Sequence, residues 1–86
     1  MPRVSAFYGI VIAMYYSDHS PPHFHAIYAG SEAQIRIDSL EPIAGLLPSR
    51  ALRLIREWAL THRQELALNW TKARDGEPLD TIEPLS

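Results

Sequence analysis

The sequence predicts an α+β domain in which a small antiparallel β-meander of three to four strands packs against one long amphipathic helix. Before Pro48, apolar residues alternate or run in short stretches that turn residues separate, which is typical of strands. After Pro48, they recur with the period of a helix. The chain has 86 residues, 47% of them hydrophobic, so we expect a single domain over residues 1–86.

The strand-like half contains three predicted strands and one ambiguous segment. Residues 9–16 are apolar on both alternating faces, as in a strand covered on both sides or lying in a partner interface. Residues 23–29 predict a second strand, with its turn at residues 30–31. Residues 33–38 alternate between apolar and polar and indicate a half-buried third strand, whereas residues 40–47 predict a short strand or a loop.

The second half predicts one continuous helix of about 25 residues. Ser49 is a plausible N-cap, and Asp75-Gly76 supplies a stop. Residues 77–86 could add a C-terminal edge strand or an extended arm. One stripe of the helix is apolar and should cover the sheet; it comprises Ala51, Leu52, Ile55, Trp58, Ala59, Leu66, Trp70 and Ala73.

The best candidate site is the segment Asp18–His25, which holds three of the four histidines around a Pro-Pro pair. Histidine is the commonest metal ligand and changes its charge near neutral pH. His23 and His25 lie two residues apart on a strand and must share a face. Alternation does not decide whether that face meets the helix or lies opposite, beside Gln34 or Arg36.

His62 falls near the centre of the helical stripe and should face the sheet, where it could join or brace the other histidines. It could equally be a core histidine with one hydrogen bond. The candidate site residues are therefore Asp18, His19, His23, His25, Arg36 and His62.

Three interpretations of this cluster stay open. It could be a rigid turn with half-exposed histidines. It could be a histidine acid–base pair, with Arg36 or Arg63 holding a phosphate. It could be a metal site, since the spacing of His19, His23 and His25 allows a tetrahedral site with an open position. We expect metal to be weak or absent in the purified protein, because three neutral histidines without a clear fixed carboxylate are only one option.

Composition excludes several classes of function. The net charge of −2 argues against a domain built mainly to coat nucleic acid. No Gly-rich phosphate loop appears, and we expect no cofactor. We also expect no signal peptide, no membrane partner and a cytoplasmic location, since no apolar run is long enough to span a bilayer and cysteine is absent.

Several of these residues carry a resemblance that covers nearly the whole chain. The segments 7–10 (Phe-Tyr-Gly-Ile), 14–15 (Met-Tyr), 18–19 (Asp-His) and 21–26 (Pro-Pro-His-Phe-His-Ala) resemble a small bacterial family. Further matches are Gly45, Leu47-Pro48, Glu57-Trp58, His62-Arg63, Glu65-Leu66 and Trp70. The family is domain-of-unknown-function family four-one-six-zero.

The resemblance implies a toxin of a bacterial type II toxin–antitoxin pair, with a small antitoxin-like protein as its partner. We combine this with the histidines into one hypothesis, a histidine-based ribonuclease with RNA as substrate. The alternative is a non-enzymatic protein-binding module or a small metal-binding protein. Residues 10–16, with both faces apolar, favour a homodimer or a hetero-complex.

Overall fold

A computed structural model describes residues 2–16 and 18–86, and it forms an α+β fold with one antiparallel sheet and two helices. The five strands lie in chain order, β1-β2-β3-β4-β5, as a simple meander. The strands are β1 Arg3–Phe7, β2 Ile10–Ala13, β3 His23–Tyr28, β4 Ser31–Arg36 and β5 Pro42–Gly45; the helices are α1 Ser49–Leu60 and α2 Arg63–Arg74. Within the described residues, no helix is long and apolar enough to cross a membrane.

The predicted class is confirmed, but three to four strands was an underestimate because β1 was missed. The ladder between β1 and β2 is irregular between Arg3 and Ser5. Val4 and Ser5 are therefore both buried although they are adjacent. A bulge of this kind breaks the period of two on which strand prediction depends.

Two tight turns fold the first four strands. Tyr8 and Gly9 join β1 to β2, and Ala29 and Gly30 join β3 to β4, all four with positive φ. Positive φ at both central residues is the signature of a type I′ hairpin turn, whose twist matches that of the strands. The second turn lies one residue earlier than predicted.

The core lies between one face of the sheet and α1. On β3 this face carries Phe24 and Ala26, which pair with Ile35 and Ala33 of β4. Trp58 of α1 is fully buried, and its ring packs against Phe24 at 6.1 Å between centroids. The predicted apolar stripe lies in the core. Leu52 is half-buried, and the other seven residues are buried: Ala51, Ile55, Trp58, Ala59, Leu66, Trp70 and Ala73.

The single long helix was wrong, because the chain breaks at Thr61 and His62. The amides of Thr61 and His62 donate to the carbonyls of Trp58 and Ala59, three residues back, which closes α1. The Thr61 hydroxyl also donates to the carbonyl of Trp58, at 3.0 Å. The helix restarts when Leu66 N–H donates to His62 O. Threonine is a weak helix former whose hydroxyl competes for such carbonyls, which favours an end to the helix here.

The tail after α2 is an extended arm rather than a strand. Asn69 exchanges two hydrogen bonds with the backbone of Asp80, and Trp58 Nε1–H donates to Glu83 O at 2.7 Å. Ile82 N–H donates to Val4 O, also at 2.7 Å, and the Ile82 side chain is buried. The arm therefore lies along the outer edge of β1.

Gly45 of β5 has a positive φ and lies tight against β4, where an added Cβ would be 2.1 Å from Glu32 O. No side chain fits there without moving a strand. We expect Gly45→Ala to lower the free energy of unfolding by at least about 1–3 kcal/mol, since both strain and a backbone clash oppose it. Urea unfolding of Gly45→Ala beside Gly30→Ala checks this, because Gly30 also has positive φ but has open space around it. Equal losses in the two variants would contradict the role of the close approach.

Candidate functional site

Asp18, His23 and His25 form one cluster at the start of β3, where His23 and His25 lie on the face of the sheet opposite Phe24 and α1. Phe24 contacts Trp58 of α1, so the alternation of β3 places its neighbours His23 and His25 on the other side. The register puts His23 opposite Arg36 and His25 opposite Gln34. This decides the question that alternation left open.

His23 is held in one orientation by its own connection. Its Nδ1 lies 2.7 Å from the carbonyl oxygen of Pro21. A carbonyl can only accept, so Nδ1 carries the hydrogen and a neutral ring leaves a lone pair on Nε2. The ring is buried and packs against Trp70 of α2, at 5.2 Å between centroids.

His25 lies between two carboxylates. Its Nδ1 is 2.7 Å from Glu32 Oε2, and its Nε2 is 2.9 Å from Asp18 Oδ2. Tyr15 packs edge-on against the ring at 4.4 Å. A neutral ring that donates Nδ1–H to Glu32 turns the lone pair of Nε2 toward Asp18.

With His25 in this tautomer, the three side chains aim electron pairs at one point. One ligand atom each from Asp18, His23 and His25 lie within 4.8 Å of one another. His23 Nε2 is buried and makes no hydrogen bond, although Asp18 Oδ2 is only 3.1 Å away. Buried acceptors facing each other repel unless a cation or a proton lies between them.

The distances suit a metal ion. Two atoms that bind one tetrahedral Zn²⁺ at about 2.0–2.1 Å are about 3.3 Å apart. The two Nε2 atoms lie 3.1 and 2.9 Å from Asp18 Oδ2, close to the separation of two ligand atoms of one such ion. Glu32 and the Pro21 carbonyl already fix the outer ring nitrogens, as the second shell of metal-bound histidines commonly does.

Tyr15 lies beside both carboxylates. Burial raises the pKa of its hydroxyl, and the charges of Glu32 and Asp18 raise it further. The phenol therefore stays protonated next to the cluster and is able to donate a hydrogen bond.

Arg36 is committed to another partner. Its guanidinium donates to both carboxylate oxygens of Asp38, at 2.8 and 2.7 Å. The hydrogen bonds from Arg36 lower the pKa of Asp38 to about 2 and raise the pKa of Arg36. Arg36 lies on the face of the cluster, but its charge is neutralised by Asp38.

His62 and His19 lie outside the cluster. His62 is the N-cap residue of α2, where its Nδ1 is 2.5 Å from Glu65 Oε1 and its ring packs on Trp58. The prediction that His62 joins the cluster assumed one unbroken helix. Because His62 instead precedes α2 as its N-cap residue, its direction does not follow the phase of the apolar stripe. His19 is exposed and supplies no atom to the group formed by Asp18, His23 and His25.

Sequence reasoning missed Glu32, Tyr15 and Trp70 as neighbours of the site. Glu32 precedes the cross-strand partner of His25 by two residues, so it shares the face and lies diagonal to the ring. A correct register for the Ala29-Gly30 hairpin would have revealed it. Trp70 gave no such signal, since its place on the stripe indicated only the core.

A family model described as "Domain of unknown function (DUF4160)" matches residues 9–71. The chain belongs to this family. The match spans strands β2–β5, α1 and most of α2, and it includes Asp18, His23, His25 and Glu32. Comparison with curated proteins and with solved structures found no match.

Proposed function

We propose that this DUF4160 protein binds one divalent transition-metal ion through Asp18, His23 and His25. The observation that carries the proposal is the buried Nε2 of His23, which has no hydrogen-bond partner while its Nδ1–H is held by Pro21. A histidine fixed in this way presents a buried lone pair toward Asp18 Oδ2. Imidazole and carboxylate together suit Zn²⁺, Fe²⁺, Co²⁺ and Ni²⁺.

Burial favours a metal ion over direct acid–base chemistry. His23 and His25 are only 4% and 5% exposed, so an RNA backbone has little access to their rings. The Asp18 side chain is 26% exposed and leaves one side of the cluster near solvent. Three protein ligands with an open fourth position are typical of catalytic zinc sites, whereas structural sites have four.

The test is metal titration of the chelator-treated protein by calorimetry with Zn²⁺ and Co²⁺. We expect one ion per chain in the wild type and loss of that binding in His23→Gln and His25→Gln. The other two histidines provide matched controls, and His19→Gln and His62→Gln should bind as the wild type does. Circular dichroism melts establish that the variants fold. Absence of stoichiometric binding to the wild type, or equal weakening by all four variants, would refute the site.

We propose secondly that the metal supports hydrolysis of an RNA phosphodiester in a toxin. A bound metal lowers the pKa of its water and so supplies a nucleophile near neutral pH. A groove of about 380 Å³ adjoins Pro22, the residue before His23, and its polar lining residues are Arg63, Gln64 and Asp38. The net charge of −2 weakens long-range attraction of RNA, so local groups such as Arg63 would have to position it.

Growth arrest on induced expression in bacteria tests this second proposal. We expect arrest by the wild type and by His19→Gln, rescue in His23→Gln and His25→Gln, and relief by the antitoxin-like partner. Arrest that persists in folded His23→Gln would disconnect toxicity from the cluster. No arrest at all would favour a metal-binding or partner-binding protein that is not a toxin.

A further inference from the structure

The ligand atoms of the cluster have the spacing of neighbouring positions on an octahedral ion. Asp18 Oδ2 lies 3.1 Å from His23 Nε2 and 2.9 Å from His25 Nε2. Two ligand atoms about 2.1 Å from an ion and at a right angle to each other are about 3.0 Å apart, whereas tetrahedral ligands are about 3.3 Å apart. Both measured distances are therefore nearer to the octahedral value.

The protein supplies only part of an octahedral coordination sphere. In the part of the chain that the structure describes, the side chains able to share one ion are those of Asp18, His23 and His25. Glu32 instead binds the outer nitrogen of His25, and the exposed His19 does not belong to the group. Two histidines and one carboxylate on one face of an ion leave three adjacent positions open, which is the donor set of non-haem Fe²⁺ centres.

A buried hydrogen-bond donor beside the cluster indicates the chemistry of a further ligand. Trp70 is 5% exposed and packs its ring on His23, but its Nε1–H has no hydrogen-bond partner within the described residues. A buried N–H normally donates to an acceptor. An oxygen-donor anion bound to the metal would supply that acceptor. The Asp18 side chain, 26% exposed, marks the side from which such an anion would enter.

We propose that Asp18, His23 and His25 form a facial triad that binds Fe²⁺ and leaves room for a bidentate oxygen-donor anion, such as a 2-oxo acid, beside one small diatomic ligand. The facial triad rests on the metal site proposed above, and it specifies further which ion binds and which class of ligand joins it. A tetrahedral ion with three protein ligands has one open position and cannot hold both ligands.

Electron paramagnetic resonance of the full chain, loaded with Fe²⁺ without oxygen, tests the triad with nitric oxide and oxalate as probes. Nitric oxide should give the spin-3/2 signal of an iron–nitrosyl. Oxalate should change the shape of that signal without abolishing it, because both ligands fit on one ion. Acetate, which forms no five-membered chelate ring, is the matched control and should change the signal less. His19→Gln should behave as the wild type does.

Calorimetry distinguishes failure of the triad from failure of the metal site itself. If no ion binds, both are wrong. If one ion binds but oxalate and nitric oxide displace each other, the site has too few open positions and the triad alone is wrong. Intense visible absorption bands of bound Co²⁺, typical of a four-coordinate ion, would overturn the triad in the same way.

The role of Trp70 has a test of its own. Trp70→Phe removes the N–H and keeps an aromatic ring against His23. The dissociation constant for oxalate on the Fe²⁺-loaded protein should rise at least about tenfold, the usual effect of losing a hydrogen bond to a charged group, and that for Fe²⁺ should change less. Equal weakening of Fe²⁺ and oxalate binding would show that Trp70 only packs against His23, and would overturn its role as a donor.

Discussion

Trp58→Ala is expected to lower the free energy of unfolding by about 3–5 kcal/mol, the usual cost of removing a large buried aromatic side chain. Trp58 is fully buried and packs against Phe7 and Phe24, which belong to the sheet. Its indole Nε1–H also donates to Glu83 O at 2.7 Å. One side chain therefore joins α1, the sheet and the C-terminal arm. Unfolding in urea, followed by far-ultraviolet circular dichroism, measures the loss.

Two further variants separate the causes of that loss. Trp58→Phe keeps most of the packing but leaves Glu83 O without its donor, so about 1–3 kcal/mol should be lost. Leu68→Ala removes an exposed side chain of α2 and should change the free energy of unfolding by less than about 0.5 kcal/mol. If Trp58→Ala melted like Leu68→Ala, the apolar stripe would not be the core.

The fold was predictable where the periodicity of the chain was undisturbed. The predicted stripe from Ala51 to Ala73 lies in the core on both sides of the break, with only Leu52 half-buried. The break is accompanied by local contacts of the Thr61 hydroxyl and of His62 with Glu65, which the period of the apolar residues does not reveal. Strand β1 was lost for a related reason, because its irregular ladder buries Val4 and Ser5 together.

The candidate site was predictable only in its centre. The two-residue spacing of His23 and His25 correctly gave a shared face, and Asp18 does reach them. We expected His62 to approach the other histidines because it fell on the apolar stripe of one unbroken helix. The break leaves His62 between α1 and α2, where the helical period no longer sets its direction. Arg36 lies on the correct face, but its pairing with Asp38 follows from the local turn rather than from the strand pattern.

The metal proposal also predicts graded effects of the two carboxylates at His25. Glu32 accepts from Nδ1 and does not belong to the converging group, so it should act by orienting the ring. Loss of such a partner typically weakens metal binding by about 10–100-fold. We expect Glu32→Gln to lower the affinity for Zn²⁺ by this factor, because the amide can still accept the hydrogen bond but carries no charge. Asp18→Asn removes a ligand and should weaken binding more than Glu32→Gln does.

Competition titration against a chromogenic chelator measures both affinities, with Glu41→Gln as the charge-matched control. Glu41 is an exposed carboxylate whose partner is Arg56, so removing its charge should leave Zn²⁺ binding unchanged. The comparison of Asp18→Asn with Glu32→Gln is the decisive one, since both remove a carboxylate that touches His25 but only Asp18 is a proposed ligand. If Asp18 is a ligand and Glu32 orients His25, Asp18→Asn should lose the most affinity for Zn²⁺ and Glu32→Gln should lose less. Glu41→Gln should lose none. An affinity in Asp18→Asn equal to that of the wild type would remove Asp18 from the ligand set and leave two histidines, too few for the three-ligand centre proposed.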